Sequence, residues 1–523
     1  MKETDTSTLQ TTPSAGAATN APNPSANSLK RLFSDTMIYG LSSIVGRFLN
    51  YLLVPLYTYK IAATSGGYGV VTEIYAYTAL LLVILTFGME TTFFFFANQY
   101  KDRADKVFST AALAVGGVSA LFVLLVVLFE GPVTSLMGYS AHPEFVVMMA
   151  VVVAVDAFQA IFFALLRFQG RAWKFAIMKL LFIVLSMGMN LFIFLLAPGL
   201  YESHPSLMGW YNPDYQVGYI FVVNLICTTG MTLGFLPELR KLRWGVDRKL
   251  LGEMLRYTWP LLLLGIVGML NQVADKICYN HLVPGEEGRV QLGIYGACFK
   301  IAMIMGMITQ AFRYAYEPFV FGGARESNSR ESQAQVMKYF IIFALLAFLV
   351  VMAYLDILKY IISPGYWEGL RVVPIVMMGE ILMSIYFNLS FWYKLTKKTW
   401  WGAVFSAIGC AVLLAVNIIF VPKVGYMACA WGSVAGYGVC VLLSYFVGRS
   451  KYPVPYPLKA IAGYFVLALG LYALSVWLRP ASTGWSLVLN TGLLLVYVAV
   501  VVYNERELLR PMLSKLRSLV SHR

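Results

Sequence analysis

Apolar segments long enough to cross the hydrocarbon core of a membrane recur along the whole chain. A helix that crosses this core needs roughly 20 apolar residues, and about 14 such segments follow one another with short polar breaks. They are predicted at residues 32–60, 68–97, 107–129, 144–168, 174–197, 214–238, 250–281, 291–320, 337–362, 371–394, 398–421, 424–448, 457–479 and 483–503. Backbone groups in lipid must be hydrogen-bonded within their own segment, so each segment is predicted to be a helix. The sequence therefore predicts an all-α integral membrane protein with about 14 transmembrane helices.

The charge composition supports a membrane protein and raises one alternative. Charged residues make up 13% of the 523 residues, whereas soluble domains carry roughly 25%. The net charge of +14 would also suit a nucleic-acid-binding protein. The basic residues lie in short loops between apolar segments, which is the positive-inside pattern of membrane proteins. We therefore expect membrane lipids, and no nucleic acid, as partners.

The loop charges also predict the orientation of the chain. With a cytoplasmic N-terminus, the inner loops and tails hold about 28 Lys and Arg residues and the outer loops about six. Basic residues favour the cytoplasmic side, so both termini are predicted to be cytoplasmic. Residues 1–28 lack the basic and apolar regions of a signal peptide and predict a disordered cytoplasmic tail. Residues 506–523 predict a second, basic cytoplasmic tail.

Transport rather than catalysis is favoured by the absence of a large loop. The loops are no longer than about 20 residues, and the four histidines lie in loops, at a span end or in the tail. A membrane enzyme of glycan or lipid synthesis would need a catalytic cluster and usually a sizeable loop. We predict that the protein is not an enzyme and has no catalytic residues, no metal site and no cofactor. A non-transporting scaffold is the remaining alternative, but it would leave the charges within the spans without a use.

Charged residues inside the predicted spans are the candidate functional residues. An ionisable residue at the centre of a membrane helix costs about 2.5–3.5 kcal/mol on insertion scales, so each one needs a reason. The candidate substrate-binding residues are Arg47, Lys276, Lys300 and Arg313. The candidate counter-charges or ion-coupling residues are Glu90, Asp156, Asp275 and Glu380. Several cations in one cavity would bind an anion such as a phosphate, whereas buried ion pairs that hold two halves together are the alternative.

Three further expectations concern individual charges. Asp275 and Lys276 are adjacent, so they point about 100° apart on a helix and are not expected to pair simply with each other. Arg313 and Glu317 have the spacing of an intrahelical ion pair, which would make Arg313 structural rather than substrate-binding. Glu73 is expected to reach the outer headgroups.

A faint internal repeat predicts two like-oriented halves. Ile44-Val45-Gly46 in the first span returns as Ile266-Val267-Gly268 in the seventh. The next spans open on Gly69-Val70 and Gly293-Ile294, which lie 23 and 25 residues after these glycines. Spans one to six and seven to twelve would then be related by an axis along the membrane normal. A chance match is the alternative, because membrane sequences are rich in Gly and Val.

Several of these spans resemble the Wzx-type oligosaccharide flippases of the multidrug/oligosaccharidyl-lipid/polysaccharide (MOP) exporter superfamily. The likeness covers most of the chain in layout and is most specific in spans one, two, seven and eight. The stretches that carry it are Ile38–Asn50, Pro55–Thr58, Tyr68–Tyr75, Phe87–Phe94, Asn271-Gln272, Asp275-Lys276, Ile294–Lys300 and Gln310–Phe319.

The resemblance implies a fold and a domain organisation. It implies two six-helix bundles in a V arrangement, here residues 29–240 and 241–450, followed by two additional transmembrane helices in residues 451–505. It also implies a location in the bacterial inner membrane. Arg47 resembles a first-helix arginine that is required in the related lipid II flippases.

The implied activity is the flipping of an undecaprenyl-diphosphate-linked oligosaccharide from the cytoplasmic to the outer leaflet by alternating access, for surface polysaccharide biosynthesis. Other polysaccharide-assembly proteins are then expected as partners, and Na⁺ or H⁺ as a coupling ion. The alternative within the same superfamily is an Na⁺- or H⁺-coupled multidrug or metabolite antiporter, which would favour a cavity dominated by carboxylates. The sequence departs from the family at Phe93–Phe96, where an uninterrupted phenylalanine run replaces the basic residue that members often carry.

Overall fold

The predicted helical membrane fold is confirmed. In the computed structural model, the protein is described at Val45 and at residues 51–206, 208–322, 329–480 and 482–506, and the regular secondary structure of these residues is helical throughout. Thirteen helical segments among them are long and apolar enough to cross a membrane. They correspond to the second to fourteenth predicted spans. The first predicted span is described only at Val45 and from Tyr51 onward.

The described residues of the N-terminal half, up to residue 240, form ten α-helices. They are α1 Leu53–Lys60, α2 Gly67–Thr86, α3 Met89–Gln99, α4 Ala104–Leu128, α5 Glu130–Leu136, α6 Pro143–Phe168, α7 Ala172–Leu191, α8 Ala197–Ser203, α9 Gln216–Met231 and α10 Leu236–Leu239. Three of these spans are interrupted helices, and a 3₁₀ segment at Thr232–Phe235 separates α9 from α10 in one of them. The second span consists of α2 and α3, and a π-helical segment at Phe192–Leu196 joins α7 to α8.

The described residues of the C-terminal half, from residue 241, form another ten α-helices. They are α11 Arg248–Leu282, α12 Glu286–Gly322, α13 Ser329–Ala353, α14 Leu355–Leu358, α15 Val373–Leu389, α16 Phe391–Leu395, α17 Trp400–Val424, α18 Met427–Lys451, α19 Leu458–Trp477 and α20 Thr483–Asn504. A 3₁₀ segment, Pro364–Val372, leads into α15.

Burial separates central helices from peripheral ones. In α6 and α13, 61% of the most apolar stretch is buried inside the protein, but in α19 and α20 only 17% is buried. The last two helices therefore present most of their surface to lipid. The polar contacts that attach this pair to α13 and α14 include two ion pairs: Lys338 donates to Glu505 (2.7 Å), and Arg479 donates to Asp356 (2.8 Å).

The second span breaks where it meets α11. Phe87 and Gly88 both have left-handed backbones, with φ of 33° and 70°, and this ends α2. The Thr258 hydroxyl of α11 donates a 2.5 Å hydrogen bond to the Phe87 carbonyl. Pro260 lies inside α11 two residues further on, where it removes a backbone hydrogen bond and favours a kink. Two irregular helices therefore contact each other at their irregular points.

The two halves are in backbone contact where α2 and α12 begin. A Cβ added to Gly69 would lie 2.0 Å from the Arg289 carbonyl oxygen, and one added to Gly293 would lie 2.9 Å from the Gly69 nitrogen. The absence of side chains at both positions allows this approach. Gly69 and Gly293 are also equivalent positions of the proposed repeat. If an axis along the membrane normal relates the two halves, equivalent residues meet where their helices approach that axis. We call this end of the bundle the predicted outer end, and the opposite end, which holds Gln99 and Phe168, the predicted inner end.

Candidate functional site

A charged cluster in the C-terminal half holds four of the predicted site residues, contributed by α11, α12 and α15. The expectation that Asp275 and Lys276 do not pair with each other is wrong. The Lys276 Nζ lies 3.0 and 3.1 Å from the two carboxylate oxygens of Asp275, because the long lysine side chain folds back over the adjacent position. The Tyr295 hydroxyl of α12 donates to the same carboxylate at 2.7 Å. Asp275 is 2% exposed, so this pair is buried and nearly neutral overall.

Lys276 is held in place by more than its ion pair. Its Nζ donates to the Gln272 carbonyl at 3.2 Å and lies 4.0 Å from the centre of the Phe299 ring. A desolvated ammonium over an aromatic face gains a favourable cation–π interaction. Lys276 is therefore a positioned residue whose charge is already compensated.

Lys300 and Glu380 lie near this pair but outside its hydrogen bonds. The Lys300 and Lys276 ammonium groups repel each other electrostatically, and Lys276 attracts the Glu380 carboxylate. Within the described parts of the chain, neither the Lys300 nor the Glu380 side chain makes a hydrogen bond or an ion pair. Gly306 provides room for the carboxylate, since a Cβ there would lie 3.2 Å from Glu380 Oε2. Lys300 is thus the cation of the cluster that has no compensating contact among the described residues.

Arg313 lies apart from this cluster. It follows Lys300 by 13 residues on α12, which corresponds to about 20 Å along a helix. Its guanidinium lies 3.9 Å from the centre of the Phe387 ring, and the Lys394 Nζ lies 4.6 Å from the same ring. The side chain of Glu317 is not among those described, so the expected pair with Arg313 stays a prediction.

In the N-terminal half, Asp156 on α6 is compensated by a lysine of the next helix. Lys179 on α7 attracts the Asp156 carboxylate, and the Thr228 hydroxyl lies beside it. The Lys179 Nζ lies 4.0 Å from the centre of the Phe163 ring. Asp156 therefore has its counter-charge within its own half of the chain.

Glu90 forms an ion pair with a residue absent from the sequence-based site. At the predicted inner end, the Arg167 guanidinium of α6 donates to the Glu90 carboxylate of α3. It also lies 5.1 Å from the centre of the Phe94 ring. Two features of the sequence could have indicated Arg167. It lies within a predicted span, one residue before the end of that span. The phenylalanine run Phe93–Phe96 lacks the basic residue that the family often has there. A cation therefore does lie on this run, and it comes from another helix.

The predicted outer end is closed by a buried carboxylate. The expectation that Glu73 reaches the outer headgroups is wrong, because Glu73 is 0% exposed. The Tyr139 hydroxyl donates to Glu73 Oε2 at 2.5 Å, and the Asn280 amide of α11 donates to the same oxygen. The Arg289 guanidinium donates to the Gly138 carbonyl and lies 5.3 Å from the centre of the Tyr139 ring. These contacts join both halves beside the Gly69–Gly293 approach.

The predicted site residues are therefore divided among several places. Asp275, Lys276, Lys300 and Glu380 come together, whereas Arg313, Asp156 and Glu90 lie elsewhere. Arg47 lies outside the described residues. Among the described residues, His, Cys, Asp and Glu form no group of three that could hold a metal ion.

The comparisons with known proteins identify the fold. No protein-family model and no curated protein matches the chain. The structure is similar to a lipid II flippase MurJ in an inward closed conformation, with a TM-score of 0.69 and 13% identity, over 90% of this chain and 100% of the other. It is also similar to a multidrug resistance MATE family transporter of the MOP superfamily. For the inward-facing conformation of that transporter the TM-score is 0.55 at 14% identity, over 83% of this chain and 99% of the other. For the outward-facing conformation it is 0.51 at 14% identity, over 80% and 95%. At these identities the likeness concerns the fold, and the chain has the multi-pass helical fold shared by the MurJ flippase and the MATE transporters.

Proposed function

We propose that the protein is a lipid-linked oligosaccharide flippase of the MOP superfamily. It moves an undecaprenyl-diphosphate-linked glycan from the cytoplasmic to the outer leaflet of the bacterial inner membrane, without covalent chemistry and for surface polysaccharide synthesis. The observation that carries the proposal is Lys300, an intramembrane cation that lies beside a second cation and makes no hydrogen bond or ion pair within the described residues. A buried charge without a counter-ion is costly, and a bound diphosphate would supply the missing negative charge.

The proposed transport mechanism is alternating access between the two halves, residues 29–240 and 241–450. In the described conformation, Glu73, Tyr139 and Asn280 join the halves at the predicted outer end. Opening there would require these hydrogen bonds to break and the Gly69–Gly293 contact to separate. The polar headgroup would then leave through the outer end while the lipid tail stays in the bilayer. Residues 451–505 form the two additional helices, and both termini are cytoplasmic in this proposal.

Residue roles follow from this mechanism. Arg47, Lys276, Lys300 and Arg313 bind the anionic headgroup, with Lys300 making the contact that the described geometry leaves open. Glu90, Asp156, Asp275 and Glu380 are counter-charges or coupling groups for Na⁺ or H⁺. Glu380 is the coupling group that the geometry favours, because Asp275 and Asp156 each have a lysine partner within their own half.

Export of surface glycan in cells that depend on this protein tests the proposal. Arg47→Ala and Lys300→Gln should each abolish export while the protein inserts into the membrane at normal levels. Lys300→Arg, which keeps the charge, should retain part of the activity. Full export by both neutral variants would contradict the proposal.

A coupled antiporter of drugs or metabolites is the second candidate. The observation that favours it is Glu380, a carboxylate without a hydrogen-bond donor among the described residues, which would bind an organic cation. Resistance of a drug-sensitised strain separates the two functions. Glu380-dependent resistance to cationic drugs, with no effect on surface glycan, would identify the antiporter.

A further inference from the structure

We propose that Arg167 is a binding residue for the phosphate groups of the substrate at the predicted inner end, and that Glu90 holds its guanidinium while the site is empty. This inference rests on the proposed function, since it concerns the same anionic headgroup. It adds a cation that lies on neither α11 nor α12 and that the sequence-based site did not contain.

The depth of the ion pair suits a lipid phosphate. The helix α2 has 20 residues and is therefore about 30 Å long, close to the thickness of the hydrocarbon core. Glu90 follows this helix in the first turn of α3, and Arg167 is the last residue but one of α6. The pair therefore lies about one hydrocarbon thickness from the predicted outer end, at the level of the inner-leaflet headgroups. The phosphates of a lipid still in that leaflet lie at the same level.

The pair is also accessible. The Arg167 and Glu90 side chains are 33% and 40% exposed, whereas in the charged cluster the Lys276 side chain is 11% exposed. In the Asp275–Lys276 pair the carboxylate is 2% exposed. An anion can therefore approach the Arg167 guanidinium without unfolding its surroundings.

Two side chains of α3, Glu90 and Phe94, orient the Arg167 guanidinium. They lie four residues apart on α3, and Arg167 contacts both. A guanidinium is planar and carries five N–H donors, so it can stack on a ring and form bidentate hydrogen bonds with a phosphate. The next residue on α3, Phe95, stacks on Tyr257 of α11 at 4.5 Å between ring centres. Arg167 therefore lies close to the boundary between the two halves.

A second cation lies deeper along the same route. Gly69 and Gly293 are in contact and give a common reference level. Lys300 follows Gly293 by seven residues and Glu90 follows Gly69 by 21, which corresponds to about 10 Å and about 30 Å along straight helices. The phosphates would therefore contact Arg167 first and Lys300 roughly 20 Å closer to the outer end. Glu90 would pair with the Arg167 guanidinium again once the phosphates have moved toward Lys300.

The competing explanation is that the Arg167–Glu90 pair only holds α3 and α6 together. Replacing both residues with neutral side chains of similar size distinguishes this explanation from substrate binding. The double variant Arg167→Gln/Glu90→Gln removes both charges and leaves neither unpaired. The matched control is Arg371→Gln/Glu368→Gln, which removes an exposed pair on the predicted outer surface. Each full-length protein is purified into nanodiscs. Binding of undecaprenyl diphosphate is measured by native mass spectrometry against undecaprenol, and thermal unfolding is recorded in parallel.

We expect the Arg167→Gln/Glu90→Gln variant to bind undecaprenyl diphosphate about tenfold more weakly, since a charge-assisted hydrogen bond is lost. Its unfolding temperature should match that of the wild type, and Glu90→Gln alone should bind at least as tightly as the wild type. Wild-type affinity in the double variant would overturn the role of Arg167 and leave the flippase proposal intact. A wild-type protein that does not distinguish undecaprenyl diphosphate from undecaprenol would contradict the proposed function itself. If the double variant fails to fold, the single variant Glu90→Gln distinguishes the two explanations. Weaker binding by Glu90→Gln would show that the pair is structural.

Discussion

The Tyr139 hydroxyl donates a 2.5 Å hydrogen bond to the Glu73 carboxylate, which also accepts from Asn280 on the other half of the chain. Burial, together with the Glu73 charge and this hydrogen bond, raises the pKa of Tyr139 well above its ordinary value, so the hydroxyl remains a donor at every physiological pH. One buried carboxylate thus connects three segments at the predicted outer end. Opening that end has to break bonds to a charge, which gives the closed conformation a defined energetic basis.

Removing the Tyr139 hydroxyl should weaken the closed outer end. Tyr139→Phe keeps the ring and deletes one hydrogen bond to a buried charge, which typically costs about 1.5–3 kcal/mol. We expect a lower unfolding temperature and faster hydrogen exchange in the segment that contains Asn280. Tyr211→Phe is the matched control, because Tyr211 is a buried tyrosine that stacks on Tyr219 and, among the described residues, makes no hydrogen bond to a carboxylate. Equal exchange in the two variants would contradict the role of this bond.

The Gly69 contact predicts a strong and local steric effect. Alanine at position 69 would place its Cβ 2.0 Å from the Arg289 carbonyl, and overpacking of this kind costs about 1–3 kcal/mol or more. Alanine favours a helix over glycine by up to about 1 kcal/mol, so any loss would come from the contact between the halves. Gly69→Ala should lower the unfolding temperature and increase labelling of the outer end by an impermeant reagent.

Gly268→Ala on α11 is the control for this experiment. A Cβ at Gly268 meets no atom within 4 Å, so the substitution should be neutral or slightly stabilising. Comparable losses in both variants would show that the effect of Gly69→Ala is not specific to the approach of α2 and α12.

The helical fold was predictable from sequence, but most side-chain partners were not. Apolar length alone identifies the spans, because every backbone group in lipid must be satisfied within its helix. The burial of Glu73 depends on Tyr139 and Asn280, which lie 66 and 207 residues away. No local pattern encodes such distant contacts. The position of a charge along a span predicts its depth and not which helix covers it.

For the adjacent residues Asp275 and Lys276, helix geometry alone predicts no ion pair, although the two side chains form one. The angle between Asp275 and Lys276 on a helical wheel describes their Cβ directions, whereas the lysine stem has four rotatable bonds and can turn back. Arg167 was overlooked because it lies at the end of a span, where a basic residue is ordinary. Its partner Glu90 lies on another helix, 77 residues away, so no local pattern indicates the pair.

We expect Glu380 to couple transport to an ion gradient. In reconstituted liposomes, Glu380→Gln should abolish the stimulation of flipping by a proton or sodium gradient, because the substituted amide neither titrates nor carries the negative charge that Lys276 attracts. Flipping without a gradient should continue. Asp275→Asn is the contrasting variant and should lower stability, since it leaves Lys276 buried and uncompensated. Gradient-stimulated flipping by Glu380→Gln would exclude this residue as the coupling group.

The attachment of the last two helices should depend on pH. Glu505 loses hydration on burial, but hydrogen bonds from Lys338, Tyr464 and Tyr339 outweigh this effect and lower its pKa below the ordinary 4.5. A carboxyl with a lowered pKa contributes stability above its unfolded-state pKa and loses it as the pH falls through the folded value. Glu505→Gln should therefore lower the unfolding temperature at pH 7, and the difference from wild type should shrink below about pH 4.5.

Glu253→Gln provides the comparison for this pH series. Glu253 is an exposed carboxylate on α11, so its neutral variant should follow the wild type at every pH. A difference between Glu505→Gln and the wild type that persists unchanged at pH 3.5 would mean that the carboxylate charge is not what attaches α19 and α20.

The contact between Thr258 and Phe87 predicts where the two halves bend relative to each other. Phe87 is a non-glycine residue with φ of 33°, and its carbonyl accepts the Thr258 hydroxyl two residues before Pro260. Thr258→Val keeps the side-chain shape and removes the donor, at a cost of about 1 kcal/mol. If α11 bends at Pro260 during transport, the loss of this bond should change the rate of flipping more than the affinity for substrate. Thr232→Val is a useful comparison, because Thr232 accepts a hydrogen bond only within the N-terminal half. A Thr258→Val variant with a wild-type flipping rate and weaker substrate binding would place the bond in substrate binding instead of in the movement.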